Sequence, residues 1–172
     1  MDFGCESALP LIEKYDNVLV VQTFSKSRAL AGIRIGYAFG SKKLIKYLND
    51  VKFSFNSYTM NRLTTLVGCA CLEDTKYFEE CVQKVMATRE RTKKRLAELG
   101  FSFGDSKANF IFASHKSVPA KEIFEALKEE GIFVRYWNKV RISNHLRISV
   151  GTDEEMDALL KFLENYLGKC ED

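Results

Sequence analysis

The chain has 172 residues, 46% of them hydrophobic and 28% charged, and its 26 basic and 23 acidic side chains leave a net charge of +3. That is the size of one average domain, roughly 100–200 residues, with enough apolar content for a real core. No apolar run reaches the ~20 residues that cross a bilayer. The opening Met1-Asp2-Phe3-Gly4 lacks a basic segment followed by an apolar one, so neither a membrane span nor secretion is expected. Basic residues are densest at 84–95, which reads as a solvated helix face rather than a nucleic-acid site. Cys5, Cys69, Cys71, Cys81 and Cys170 show no Cys-x-x-Cys spacing. They are expected to be reduced, packed thiols of a cytoplasmic protein with no metal site.

In chain order, residues 8–15 read as a short helix. The run 17–22 (NVLVVQ) reads as a strand of the kind buried on both faces in a parallel sheet. A loop over 23–33 follows, then a strand at 34–39 and a helix that Ser41 caps, with Leu44, Ile45 and Leu48 on one face. Residues 53–58 break the pattern as an aromatic, polar loop. Helices are expected over 60–72 and 77–99, the second ended by Gly100. Beyond it come a strand (109–113), a helix (119–129, ended by Gly131), strands at 132–137 and 145–150, and a helix at 153–167 capped by Thr152. That order describes a small α+β layer with helices on one face of a sheet. The division between the two parts is placed inside the 77–99 helix. The first part has too few strands for a wound α/β domain of its own.

The stretch TFSKSRALAGIRIGY, from Thr23 to Tyr37, holds the chemistry. A lysine at the foot of a buried strand is costly unless paired, and cationic neighbours such as Arg28 and Arg34 would turn it into a nucleophile for carbonyls. Thr23 and Ser25 supply hydroxyls, and Arg34 a planar fork for phosphate. Gly32 and Gly36 allow close backbone approach. Aldehyde-reactive lysine plus phosphate ligands is the donor set that pyridoxal 5′-phosphate requires, although a loop with a surface lysine has the same composition.

Thr-Phe-Ser-Lys-(x)3-Leu-Ala-Gly-x-Arg-x-Gly-Tyr resembles the lysine motif of the fold-type I, class I/II aminotransferases, and within that group most resembles the histidinol-phosphate aminotransferases. The resemblance implies an α/β fold: residues 1–85 as the C-terminal remnant of a large cofactor-binding domain, and 86–172 as the small α+β domain. It implies a covalent cofactor link through Lys26, with Thr23, Ser25 and Arg34 on the cofactor phosphate. Ser106-Lys107-Ala108-Asn109-Phe110, residues 131–135 and residues 146–152 resemble further segments of the family. They imply that Arg147 clamps the substrate carboxylate, or the equivalent end of a phosphorylated amino alcohol, and that Arg135 binds the substrate phosphate. Asn56 resembles a family asparagine, but the neighbouring proline is missing. His145, placed on the strand face opposite Arg147, reads as structural.

The implied activity is amino-group exchange between L-histidinol phosphate and 2-oxoglutarate, in histidine biosynthesis, by a homodimer. Threonine-phosphate decarboxylases and aromatic aminotransferases share the motif, and a non-catalytic module is the rival of another class. The resemblance spans only about the C-terminal half of the family pattern. The glycine-containing phosphate loop and the Asp-x-x-Tyr pair of the family have no counterpart here. The chain alone is therefore expected to be a fragment with weak cofactor binding, little turnover and a tendency to self-associate.

Overall fold

The computed structural model describes residues 2–171, and the side chain of Cys170 lies outside the described residues. The elements are α1 (Pro10–Lys14), β1 (Leu19–Thr23), a 3-10 turn (Ala31–Ile33), β2 (Gly36–Gly40), α2 (Lys42–Phe55), α3 (Arg62–Glu73) and α4 (Thr75–Glu98). Then come β3 (Phe101–Phe103), β4 (Phe110–His115), α5 (Ala120–Glu129), β5 (Arg135–Tyr136), β6 (Leu146–Ser149) and α6 (Asp153–Glu171). The chain divides into two compact units, Met1–Val82 and Gln83–Asp172, within α4. Among the described residues no helix is long and apolar enough to cross a membrane.

In the first unit β1 and β2 form an antiparallel pair, in register from Leu19 opposite Gly40 to Thr23 opposite Gly36. Ser41 caps α2, its Oγ accepting from Leu44 N at 3.4 Å, and Asn61 Oδ1 caps α3 by accepting from Thr64 N at 2.8 Å. Helix α3 meets the residues after β1 at close range. A Cβ added at Gly68 would stand 2.7 Å from Ile35 Cδ1, so no larger residue fits there without a shift. Two expectations are corrected here. The 17–22 run is not a strand buried on both faces: β1 is antiparallel and Val21 is 61% exposed. An apolar run is buried only where a layer covers each face, and this unit supplies too little cover. Nor is 53–58 wholly a loop, since α2 continues to Phe55. Ser54 and Ser57 donate back to the carbonyls of Asp50 and Phe53, so these polar residues accommodate the helix end rather than breaking it.

The second unit is an antiparallel sheet of order β3-β4-β6-β5. Its strands alternate as period-2 geometry requires. Ile111, Ala113, Leu146 and Ile148 face a core completed by Leu96 of α4, Ile123 and Leu127 of α5, and Leu159 and Leu163 of α6. Strand β3 has no counterpart in the expected elements. The strand expected at 132–137 is reduced to two residues. The cause is the exit from α5: Gly131 stands at φ +81°, and Ile132 N donates to Leu127 O at 2.8 Å, a Schellman-type ending that occupies the chain before it can pair. Gly100 ends α4 in the same conformation, at φ +83°. Thr152 and Glu155 make reciprocal side chain to backbone bonds at the start of α6. His115 is buried, with Nε2 2.9 Å from Leu99 O and Nδ1 accepting from Val118 N at 3.0 Å, which fixes the proton on Nε2.

Candidate functional site

Lys26 lies on a turn whose every neighbour is tied down. Phe24 anchors it as a buried side chain, Leu30 N donates to Phe24 O, and Ala29 N donates to Lys26 O, both at 3.0 Å. Ala29 and Arg34 both take left-handed backbone, φ 53° and 61°, a conformation non-glycine residues adopt only when surroundings enforce it. Ser27 Oγ donates to the Asp2 carboxylate, which also accepts from Gln22 Nε2 at 2.6 Å. Thr64 Oγ1 donates to Ile33 O at 3.3 Å. The result is a stiff turn with Lys26 exposed and, among the described residues, nothing paired with its Nζ.

Thr23 and Ser25 stand beside the lysine, joined by Ser25 N donating to Thr23 Oγ1 at 3.3 Å. Arg34 is exposed and spends Nη1 on Ala31 O at 2.8 Å, which aims the guanidinium and leaves its remaining donors open. Several details correct the sequence reading. Lys26 is exposed rather than buried at the end of a strand, and the Arg28 guanidinium is engaged elsewhere. Arg28 donates Nη1 to Cys71 O at 2.6 Å and lies over Phe78, 3.9 Å from the ring centroid. Gly32 is not a close approach either, since a Cβ there meets nothing. Asn56 is the exposed C-cap of α2, and among the described residues no contact joins it to the lysine turn. Cys5 and Cys69, expected to be packed, are exposed.

The second group of residues sits on the face of the four-stranded sheet away from its core. Arg135 and Arg147 are Cα partners across β5 and β6. Trp137 receives both, with the Arg135 and Arg147 guanidinium carbons 5.4 and 5.5 Å from its rings. Arg147 also lies 5.5 Å from the centroid of Phe110. Like charges placed opposite each other destabilise a strand pair unless something neutralises them. Among the described residues no carboxylate pairs with either arginine. The arrangement is suited to receiving an anion.

His145 belongs to this face, not to the opposite one. Its ring stacks on Phe112 at 4.6 Å and 11°, and Phe112 is the Cα partner of Arg147. Residues two apart on a strand share a face, and the buried neighbours Leu146 and Ile148 alternate with them. That period was the signal that sequence reasoning missed. Trp137 was missed too, because nothing in its spacing marked it as the plane shared by two arginines.

The family described as "Aminotransferase class I and II" matches residues 1–163. The histidinol-phosphate aminotransferase of Lactococcus lactis subsp. lactis (strain IL1403) is 53% identical over all 172 residues, which cover 48% of that protein. That of Brachyspira hyodysenteriae is 53% identical over 162 residues, 94% of this chain and 46% of the relative. Among solved structures, the histidinol-phosphate aminotransferase of Sinorhizobium meliloti in complex with pyridoxal 5′-phosphate is 28% identical. It superposes with a TM-score of 0.84 over 98% of this chain and 47% of that one. The chain thus has the fold-type I aminotransferase fold, and it spans about half the length of the curated relatives it matches.

Proposed function

The chain belongs to the class I and II aminotransferases, and from that premise we propose that it carries the lysine-bearing and substrate-binding part of a histidinol-phosphate:2-oxoglutarate aminotransferase. The observation that carries this reading is the stiff turn that presents an unpaired lysine beside two hydroxyls and a pre-aimed arginine. That donor set fits pyridoxal 5′-phosphate: an amine for its aldehyde, and hydroxyl and guanidinium donors for its phosphate. When bound, the cofactor supplies the electron sink for the bond broken at the substrate Cα.

The residues of the chain then have distinct tasks. Lys26 would hold the cofactor through its amine and, when free of it, would serve as the base that carries the proton to and from the substrate Cα. Thr23, Ser25 and Arg34 would hold the cofactor phosphate. Arg147 takes the carboxylate of an amino acid, or the equivalent end of a phosphorylated amino alcohol, and Arg135 takes the substrate phosphate. Asn56 is assigned to the substrate side as well. The names and identities of the curated relatives support the choice of histidinol phosphate over other amino donors.

The test is chemical. Pyridoxal 5′-phosphate is added to the purified chain, the mixture is reduced with borohydride, and the peptides are mapped by mass. The adduct should fall on Lys26 and disappear in Lys26→Ala. An adduct spread over other lysines, with Lys26 unmodified, overturns the assignment.

A further inference from the structure

On the open face of the four-stranded sheet, two polar atoms lack partners. His145 Nδ1 and Arg147 Nε are closed to solvent, and neither makes a hydrogen bond. An unpaired buried polar atom costs about 1–3 kcal/mol, and such atoms occur where a ligand, ion or water completes them. The two belong to one continuous cluster. Arg147 lies over Phe110 and Trp137, Trp137 lies 6.4 Å from Phe112, and Phe112 stacks on the His145 ring. The stack fixes the plane of the imidazole, so its Nδ1 edge has a set direction.

We propose that His145 is a specificity-determining residue of this face, its Nδ1–H donating to the phosphate of an anionic substrate that Arg135 and Arg147 also hold. The inference rests on the reading of this face as an anion site given above. A carboxylate has two oxygens and is filled by one guanidinium fork. A phosphomonoester offers three acceptor oxygens and a charge of about −1.5 to −2. Two arginines opposite each other supply the charge, and the histidine adds a donor from a third direction. A proton on Nδ1 makes the ring a donor there. Both orphan atoms are closed to solvent, so an anion engages them only after a covering side chain moves aside. The face therefore selects a phosphomonoester over a simple carboxylate, and His145 is the group that makes the difference.

The chain has only two histidines, and His115 is buried with both ring nitrogens engaged, so it serves as an internal control. Histidine-labelled chain is titrated with inorganic phosphate and, separately, with acetate, followed by nuclear magnetic resonance of the imidazole signals. Phosphate should move the His145 signals, leave those of His115 in place, and bind more tightly than acetate. His145→Phe keeps the stack and removes the donor; it should weaken phosphate by about tenfold, the loss of one charge-assisted bond, and leave acetate unchanged. His145→Asn, which returns an N–H near the Nδ1 position, should recover most of the phosphate affinity. Arg147→Gln should abolish both. Phosphate affinity unchanged in His145→Phe but lost in Arg147→Gln overturns the role of His145 and leaves the anion site standing. Unmoved His145 signals in the original chain with phosphate bound do the same, whatever the folding of the variants. No phosphate binding by the original chain overturns both readings.

Discussion

Arg28 stands two residues from Lys26, yet its guanidinium turns away to bond Cys71 O at 2.6 Å in the last turn of α3 and to lie over Phe78 of α4. A cation at the C-terminal end of a helix meets unpaired carbonyls and the negative end of the helix dipole, so this contact is favourable twice over. The guanidinium thus acts as a clamp on the turn. Its loss should be structural in effect. Arg28→Met keeps much of the side-chain length and should cost about 1.5–3 kcal/mol, the range for a hydrogen bond from a charged group. Denaturant unfolding followed by a probe in the first unit checks this; a change within error would show that the clamp is not needed. At this scale the lysine, hydroxyls and Arg34 were legible because their chemistry is local and their spacing is short. The direction of Arg28 was not, because its partner lies 43 residues away in sequence. The face of His145 was legible from period 2 alone and was misassigned.

Helix ends were the most legible elements. Gly100, Gly131 and Thr152 each punctuate a helix through local backbone chemistry, and each does so in the structure. Strands were less so, because a strand exists only through its neighbours. The 132–137 run lost its first half to the exit of α5, and β3 is defined by pairing with β4 alone. The tie between α4 and α6 was invisible for the same reason. Thr88 Oγ1 donates to the Asp153 carboxylate at 2.8 Å, and Arg91 bonds both Asp153 and Asp157. The Thr88 hydroxyl first, and Arg91 second, hold the Asp153 carboxyl below the usual aspartate range. A carboxyl whose pKa is depressed on folding contributes stability that is fully present above its unfolded value, about 3.9. That contribution is lost as the pH falls from there through the lower folded value. Asp153→Asn should therefore flatten the fall of stability with acid below about pH 4, with no matching change in the pH dependence near neutrality. Unfolding midpoints measured from pH 7 down to pH 2.5 test it. Parallel curves for the two proteins would mean that the α4–α6 bonds do not couple to folding.

The whole molecule is uneven in what it buries. The hydrophobic core cluster, from Leu96 to Leu167, lies entirely in the second unit. The first unit buries Phe24 and Val82 but exposes Val21, Phe39, Val51, Phe53, Phe55, Leu63 and Leu66, among others; among the described residues, only Phe133 and Val140 of the exposed large hydrophobic residues are in the second. Burial of apolar surface at roughly 25 cal/mol per Å² is the main term opposing chain entropy. The two units should therefore differ widely in local stability. Native-state hydrogen exchange on the full chain should show amides of β4, β6 and α6 exchanging near the global unfolding rate, and those of β1, β2 and α2 orders of magnitude faster. The same exposed surface, together with a two-stranded sheet whose outer edges are unpaired among the described residues, favours association with a second copy. Sedimentation velocity over a concentration series should accordingly show mass rising with concentration. High salt should not reverse this, because the driving force is apolar rather than ionic. Uniform amide protection together with a concentration-independent monomer would mean that the first unit finds its cover within this chain, and would overturn the asymmetry from which both outcomes are argued.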